Sequence, residues 1–462
     1  MGTTTEKSTS PRLRAAYILT ECYGGEGRAN DLLDRLQQDA SLGAMDASLA
    51  AELTLGVMRH RITCEHLASH FYRGRWEGLR PSLRVILSLG VYQLCWLERI
   101  PAHAAVDETV KLAGRHGKGA AATANALLRR IAETRGEMVF RAVDVDVRRY
   151  LPIDGARGRL FSEEVFPDPA RRPLEHLIAV TGHPSYLVER WHRRFKPTLC
   201  RQICDAGARR PELVLRANVR RISPGELLKS LVEAGHPASM VAGTDAIMVA
   251  GHPAVTELSE FVKGMCQPQD STAQIAVTWA APQAGEFVLD LCAGVGTKAT
   301  QAAELMGDSG VLIAADVDES RLQRARENAE RLGLTSVRIV PAAEVEATVR
   351  GLPRAPEVIL VDAPCSNTGV LARRPEARYR ASHKSILSLV ALQRQILTQA
   401  AALSGSATRM VYSTCSLEAE ENEQQVEWFV KEHPMWHAER QQLVLPDSDR
   451  DGGFVAVMGQ TA

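Results

Sequence analysis

The chain has 462 residues, 45% of them apolar, with 55 Lys and Arg balanced by 55 Asp and Glu. At about 100 to 200 residues per domain this length implies two to four packed domains and excludes a tail or linker. The zero net charge is an average over unlike parts, since residues 1–150 carry +4, residues 171–250 carry +6 and residues 251–462 carry −8. A basic middle beside an acidic C-terminal part suggests a surface for a polyanion next to a domain with different work.

Nine cysteines with no C-x-x-C pair imply free thiols in a reducing cytosol. The first twenty residues lack an apolar signal core. The apolar run LRVILSLGVYQLCWL (83–97) is broken by Arg84 and Gln93, which reads as a buried helix too short to cross about 30 Å of hydrocarbon. The expectation is a cytoplasmic protein with no membrane partner.

In chain order, residues 11–133 place apolar residues three and four apart, with Pro and Gly between segments, the pattern of amphipathic helices. An all-α domain is expected over 1–140. Cys22, Cys64 and Cys95 lie in its apolar patterns and read as core. His66 and His70 share a helix face, but no third ligand accompanies them, so no metal site is expected. Residues 141–175, rich in Arg, Asp, Pro and Gly, form a connector.

A small α/β module is expected over 176–265. Residues 184–221 hold ten Arg or Lys against three acids, interleaved with Tyr186, Trp191 and Phe195. Guanidinium groups can neutralise phosphates and aromatic faces can stack on unpaired bases, which favours RNA; the same aromatics at helical spacing also suit a core.

Residues 266–462 alternate short apolar runs with amphipathic stretches, the signature of a mostly parallel sheet covered on both faces. Ligands of such sheets sit at the C-terminal ends of the strands. LDLCAGVGTKA (289–299) is a strand, a Gly294-Val295-Gly296 turn and a helix start, and the next strand ends on Asp316, placed to accept from ribose hydroxyls. The full G-x-G-x-x-G of a dinucleotide site is absent. A nucleoside without a pyrophosphate fits better, which points to S-adenosylmethionine.

VILVDAPCSNTG (358–369) and MVYSTCSLEAEEN (410–422) each end a strand on a cysteine at that same edge. A methyl donor beside two thiols suits methylation of carbon 5 of cytosine. That carbon is too electron-poor to react until a thiolate adds at carbon 6. Asp362, held protonated, is the natural proton donor to N3, and a second thiol can take the proton from carbon 5. Lys298 and Arg373 are candidates to stabilise the thiolate. This reasoning leaves open which cysteine attacks.

VDAPCSNTGVLARRPE (361–376) and YSTCSLEAEEN (412–422), after LDLCAGVGTKA and ADVDESRL, resemble the motif series of the RNA 5-methylcytosine methyltransferases of the Sun, or RsmB, type. ILSLGVYQLCWLERIPAHAAVDETVKLA (86–113) with NALLRRI (125–131) resembles the NusB-like domain of that branch. HPSYLVERW and LVLRANV resemble its RNA-binding extension, and QPQDSTAQIAV (267–277) resembles the start of its methyltransferase core. The resemblance implies a NusB-like all-α domain, a small α/β RNA-binding module and a C-terminal Rossmann-like class I methyltransferase over 266–462.

It implies Cys415 as nucleophile, Cys365 as the residue assisting release, and Asp362 with the carbonyl of Pro364 as partners of the cytosine ring. Cys292, Ala293, Gly294, Val295, Gly296, Thr297, Lys298, Asp316, Arg321 and Asp362 would hold S-adenosylmethionine. The substrate implied is small-subunit ribosomal RNA, with an unpaired or flipped cytosine, and the default state is a monomer. The chain departs from the family where Pro341-Ala342-Ala343 lacks an acid near the adenine and where Glu376 replaces an aspartate, differences that bear on cofactor affinity. Two other readings are an RNA-binding assembly factor with a weak or inactive catalytic domain and a small-molecule methyltransferase. The retained Cys415, Cys365 and Asp362 count against the first, and the basic segment against the second.

Overall fold

The computed structural model describes residues 10–24, 43–142 and 144–461. The chain divides into two compact units, one of residues up to Arg209 with Arg374–Tyr379, the other of Arg210–Arg373 with Arg380 onward.

The first unit begins with helices α1 (Pro11–Gly24), α2 (Ala44–Phe71), α3 (Pro81–Trp96), α4 (Ala102–Gly114) and α5 (Lys118–Thr134). These are the expected apolar-periodic segments; the part of the all-α expectation that falls on residues 25–42 lies outside the described residues. Their apolar stripes meet in one core that includes Leu53, Leu87, Leu89 and Leu128. Cys64 and Cys95 are buried in it. Gly56 permits the closest approach, because a Cβ there would overlap the Tyr92 ring, whose hydroxyl donates to Glu52 at 2.7 Å. His66 bonds to the Val165 carbonyl at 2.8 Å and His70 faces Glu163, so the two histidines have separate partners.

The end of the stretch expected to be all-α and the stretch read as a connector contain strands. β1 (Arg135–Phe140), β2 (Tyr150–Pro152) and β3 (Arg157–Phe161) form an antiparallel sheet in the order β1-β3-β2. Its apolar alternation is masked by arginines. Arg159 is buried and donates to the carbonyls of Cys95 at 2.6 Å and Gly136 at 3.0 Å, a tertiary role that no local pattern announces. Helices α6 (Pro173–Thr181) and α7 (Ser185–Ala208) follow, with α7 broken at Lys196, φ 67°, just before Pro197. Proline disfavours helical geometry in the residue before it and supplies no N–H. Trp191 and Phe195 are buried core residues, so the core reading of these two rings prevails over stacking on bases.

The second unit holds two sheets. β4 (Leu213–Ala217), β5 (Ala238–Met240), β6 (Ile247–Val249) and β7 (Cys266–Pro268) form an antiparallel sheet in the order β5-β6-β4-β7. It carries helix α8 (Pro224–Glu233), which starts on a reciprocal Ser223–Glu226 capping box. The larger sheet orders its strands β10-β9-β8-β11-β12-β14-β13. These are β8 (Phe287–Asp290), β9 (Val311–Asp316), β10 (Val337–Pro341), β11 (Val358–Asp362), β12 (Arg409–Thr414), β13 (Trp436–Val444) and β14 (Gly453–Gln460).

β8 to β12 are parallel, and β14 and β13 add on antiparallel. Helices α9 (Ser271–Ala280), α10 (Thr297–Leu305), α11 (Glu319–Leu332), α12 (Val345–Arg350), α13 (His383–Leu403) and α14 (Glu423–Glu432) accompany it. Strand order reverses between β8 and β11, the crevice where open α/β sheets bind ligands.

The small sheet is joined to the large one through Arg216 of β4. Its buried guanidinium meets Glu304 of α10 at 2.7 and 3.1 Å and the Thr297 carbonyl at 3.1 Å, and also touches Gln269. A buried ion pair stripped of one partner leaves an uncompensated charge. Glu304→Ala is therefore expected to cost about 3–5 kcal/mol, measured by urea unfolding. Glu233→Ala, at the exposed Lys229–Glu233 pair, should stay within about 1 kcal/mol. Equal effects from the two would sink this account.

Candidate active site

The turn between β8 and α10 is built by its glycines. Gly294 and Gly296 have φ of 57° and 79°, a region in which residues with a Cβ are disfavoured. A Cβ on Gly296 would also stand 3.0 Å from that of Ala325, whereas one on Gly294 would meet nothing within 4 Å. The open side of the turn is thus at Gly294, whose N–H donates to Asp316 Oδ2 at 2.9 Å. Asp316 Oδ1 accepts from the Asp318 amide at 3.0 Å and has Arg321 3.8 Å away.

Ala293 is anchored by its N–H on the Ala315 carbonyl at 2.8 Å. The Val295 carbonyl accepts from Asn328 at 3.0 Å, and that of Thr297 from Arg216. Burial and the adjacent Asp290 push the Cys292 thiol far up, which suits an inert wall residue rather than a reactive one.

Asp290, at the end of β8, was not singled out from the sequence. It is completely buried; one oxygen accepts from the Cys292 amide at 3.3 Å and the other has no protein partner. Burial, reinforced by Asp362, raises its pKa to about 7.

This set fits a nucleoside carrying a sulfonium better than one carrying phosphates. Asp316 retains lone pairs for hydroxyl donors, and the space above Gly294 is open. Two basic groups near the turn, Lys298 and Arg321, are already paired with Asp362 and Asp316. At the end of β10, the Ala342–Glu344 turn exposes Glu344 to solvent.

The two cysteines follow the adjacent parallel strands β11 and β12, which are in register at Asp362 and Ser413. Their sulfurs are 3.2 Å apart. Cys365 is buried and Cys415 partly exposed. Asp362 accepts from Lys298 Nζ at 2.6 Å and from the Ser413 hydroxyl at 2.8 Å.

Burial works against the charge of Lys298, but Asp362, helped by Cys415, more than restores it, so its pKa rises. Asp362, expected from the sequence as the proton donor to N3, is thus ion-paired with Lys298. Arg373 is not beside the thiols, because Asp451 at 2.6 Å and Asp270 at 3.3 Å engage it. The Pro364 carbonyl accepts from Gln393 at 2.9 Å.

The Cys365 thiol is pushed well up, first by its hydrogen bond to Cys415, then by burial. The proton of Cys365 is therefore held tightly. Asn367, also missed from the sequence, links the two cysteines. Its amide nitrogen donates to the Cys365 carbonyl at 2.7 Å and its oxygen accepts from Cys415 at 3.2 Å. Its φ of 60° is left-handed, a conformation that Asn tolerates after Gly. The signal was present in S-N-T-G, but a left-handed residue cannot be told from an ordinary turn residue by composition.

A parallel sheet reversing at β8/β11, a glycine turn facing a strand-end carboxylate, and a thiol pair on the next two strand ends define a class I methyltransferase. Comparison with known proteins narrows the class. The model of the 16S rRNA methyltransferase RsmB/F family matches residues 277–452, the NusB family model matches 9–133, and an RsmF/B-like ferredoxin-like domain matches 183–256.

The chain is 32% identical to a probable ribosomal RNA small subunit methyltransferase B of Synechocystis, over 93% of this chain and 91% of that one. It is 30% identical to the probable enzyme of the same name from Bacillus subtilis, over 93% and 90%. Its fold matches the crystal structure of PH0851 with a TM-score of 0.72 at 21% identity, covering 98% of this chain and 99% of that one. The chain belongs to the RsmB/F family of S-adenosylmethionine-dependent methyltransferases and carries a NusB-family domain ahead of the catalytic part.

Two outcomes follow from the geometry. Because the folded state raises the pKa of Asp290, it binds that proton more tightly than the unfolded chain. The stability so contributed is complete below about pH 4 and is lost as pH rises through about 7. Asp290→Asn should remove up to about 1.4 kcal/mol per pH unit of that decline, read as a flatter plot of unfolding free energy between pH 5 and 7.5; an unchanged slope refutes it. At position 367 the backbone decides. Asn367→Ala should destabilise by about 1–2 kcal/mol and Asn367→Gly by clearly less, compared by thermal unfolding.

Proposed function

We propose that the chain methylates carbon 5 of a cytosine in small-subunit ribosomal RNA through a covalent Cys415 adduct. The observation that carries this reading is the sulfur pair 3.2 Å apart at the end of strands that also present the Lys298–Asp362 ion pair. The family membership and the names of the relatives support the substrate class. The nine free cysteines suit a reducing compartment such as the cytoplasm, and a monomer suffices because the proposed residues all come from one chain.

Cys415 adds as the thiolate to carbon 6. The displaced electron pair moves into the ring; the proton of Lys298 passes to Asp362 and from it to N3, and it returns the same way when the ring is released. The Asp362 oxygen that does not carry the relayed proton can accept from the exocyclic amine, and the Pro364 carbonyl is a second acceptor. Carbon 5 is now an enamine carbon. Bound S-adenosylmethionine supplies an electrophilic methyl group; Asp316 and the turn from Cys292 to Lys298 would hold its nucleoside end.

Release needs a base. Once the Cys415 sulfur is bonded to carbon it is no longer an anion, so the largest cause holding the Cys365 proton is gone. Cys365 can then ionise and take the proton from carbon 5, while the bond between Cys415 and carbon 6 breaks and its electron pair returns to sulfur. The cytosine must be unpaired or flipped, since carbon 6 is blocked inside a stacked helix.

The test is incubation with labelled S-adenosylmethionine and small-subunit ribosomal RNA, followed by mapping of 5-methylcytosine. Cys415→Ala should lower transfer at least a thousandfold. Cys365→Ala should still transfer once but leave protein covalently bound to RNA, seen as a shifted band on a denaturing gel. If Cys415→Ala stays active and the adduct forms only through Cys365, the roles are exchanged.

A further inference from the structure

Six residues beyond Cys415, Glu421 is completely buried and ends the short turn Ala419–Glu421. Its hydrogen-bond partners join the two cysteine loops. Oε1 accepts from the Ser366 N–H at 2.9 Å and from Gln393 Nε2 at 3.2 Å. Oε2 accepts from the Ser416 hydroxyl at 2.6 Å, and the Ser366 hydroxyl closes on the same oxygen. Ser366 follows Cys365, and Ser416 follows Cys415. Gln393 also donates to the Pro364 carbonyl at 2.9 Å and is itself held by Gln425 at 2.9 Å. The main chain of the same residue is pinned, since the Tyr412 hydroxyl donates to the Glu421 carbonyl at 2.6 Å.

The hydrogen-bond donors to this carboxylate are all neutral, an expensive way to bury a charge. A neutral side chain would fill the space at less cost, but it could not satisfy these donors. Only a group with two acceptor oxygens and no donor can take an amide N–H, a carboxamide and two hydroxyls at once. These bonds bring residues 366 and 416 together, although they are fifty positions apart in sequence. They thereby fix the separation of the sulfurs one residue upstream.

We propose that Glu421 is the positioning residue that holds Cys365 beside Cys415, so that nucleophile and release base act as one pair. The roles of the two thiols in this statement rest on the function proposed above; their enforced proximity does not. Glu421 touches neither sulfur and acts through the backbone of the two loops.

The test reads proximity first, without RNA. Dibromobimane loses two bromides to two nearby thiols and fluoresces only when both are alkylated. Full-length wild type should become fluorescent, and Cys365→Ala should not. Glu421→Gln, which preserves size but turns one acceptor into a donor, should slow cross-linking at least tenfold. The control is Asn218→Ala, which removes buried bonds to the Gly264 and Leu332 carbonyls far along the chain from the cysteines; it should lower the thermal midpoint yet leave cross-linking at the wild-type rate. If Glu421→Gln fails to fold, Ser416→Ala, which deletes one donor, replaces it with the same expectation.

Cross-linking of Glu421→Gln at the wild-type rate overturns the proposal, as does equal slowing by Asn218→Ala. In the methylation assay Glu421→Gln should lower kcat at least tenfold at unchanged KM and accumulate the RNA adduct seen with Cys365→Ala. If cross-linking is slowed but no variant ever forms an RNA adduct, Glu421 still positions the thiols and it is the covalent mechanism that fails.

Discussion

The ion pair between Lys298 and Asp362 is the constraint on which the catalytic edge turns. A mostly buried ammonium at the start of α10 is unfavourable by itself; the partly exposed Asp362 carboxylate at the end of β11, 2.6 Å away, makes it tolerable. The pair spans the point where strand order reverses, so it ties the glycine turn on one side to the cysteine loops on the other. It also decides where protons reside. Lys298 keeps its charge because Asp362 and Cys415 both favour it, while neighbouring Asp290, with one unpaired oxygen, titrates near neutrality. Three charged side chains and two thiols thus share one electrostatic environment, and a change in one moves the rest.

Around that pair, the second unit is organised to remove freedom. Arg216 of the small antiparallel sheet grips the Thr297 carbonyl, one residue before Lys298, and pairs with Glu304 on the same helix. The small sheet is therefore mechanically continuous with the helix that carries the ammonium. On the other side, Glu421 and Gln393 hold the loops that follow β11 and β12, and Asn367 links the Cys415 thiol to the Cys365 main chain. The polar network behind the cysteines is more extensive than the contacts at the sulfurs themselves, as expected where geometry must be held within fractions of an ångström.

The first unit uses buried arginine differently. Arg378 donates to the carbonyls of Gly182 and Gly207, at helix ends where such acceptors are left unpaired, and to that of Arg59, beside the non-helical His60, and burial lowers its pKa to about 10. Arg159 does the same for Cys95 and Gly136. Within the basic stretch 184–221 Arg216 is likewise internal, whereas exposed side chains such as Arg193 and Lys196 are available to a polyanion.

What the sequence determined by itself was whatever depends on local periodicity or short spacing. The five N-terminal helices, the β8–turn–α10 unit with Asp316 at the next strand end, and the two strand-end cysteines all belong here, because apolar spacing and glycine placement act within a few residues. The tertiary structure decided what depends on partners distant in sequence. The antiparallel pair β13/β14 escaped because β13, WHAERQQLV, is an edge strand with an exposed polar face, so no alternation marked it. The small sheet of β1 to β3 escaped because its inward Arg159 is paired with carbonyls rather than excluded from the core. The pairing of Asp362 with Lys298, the withdrawal of Arg373 to Asp270 and Asp451, and the positions of Asn367 and Glu421 were equally illegible. Each is fixed by a group tens to hundreds of positions away in the chain, and an ionisable side chain takes its state from what surrounds it in space.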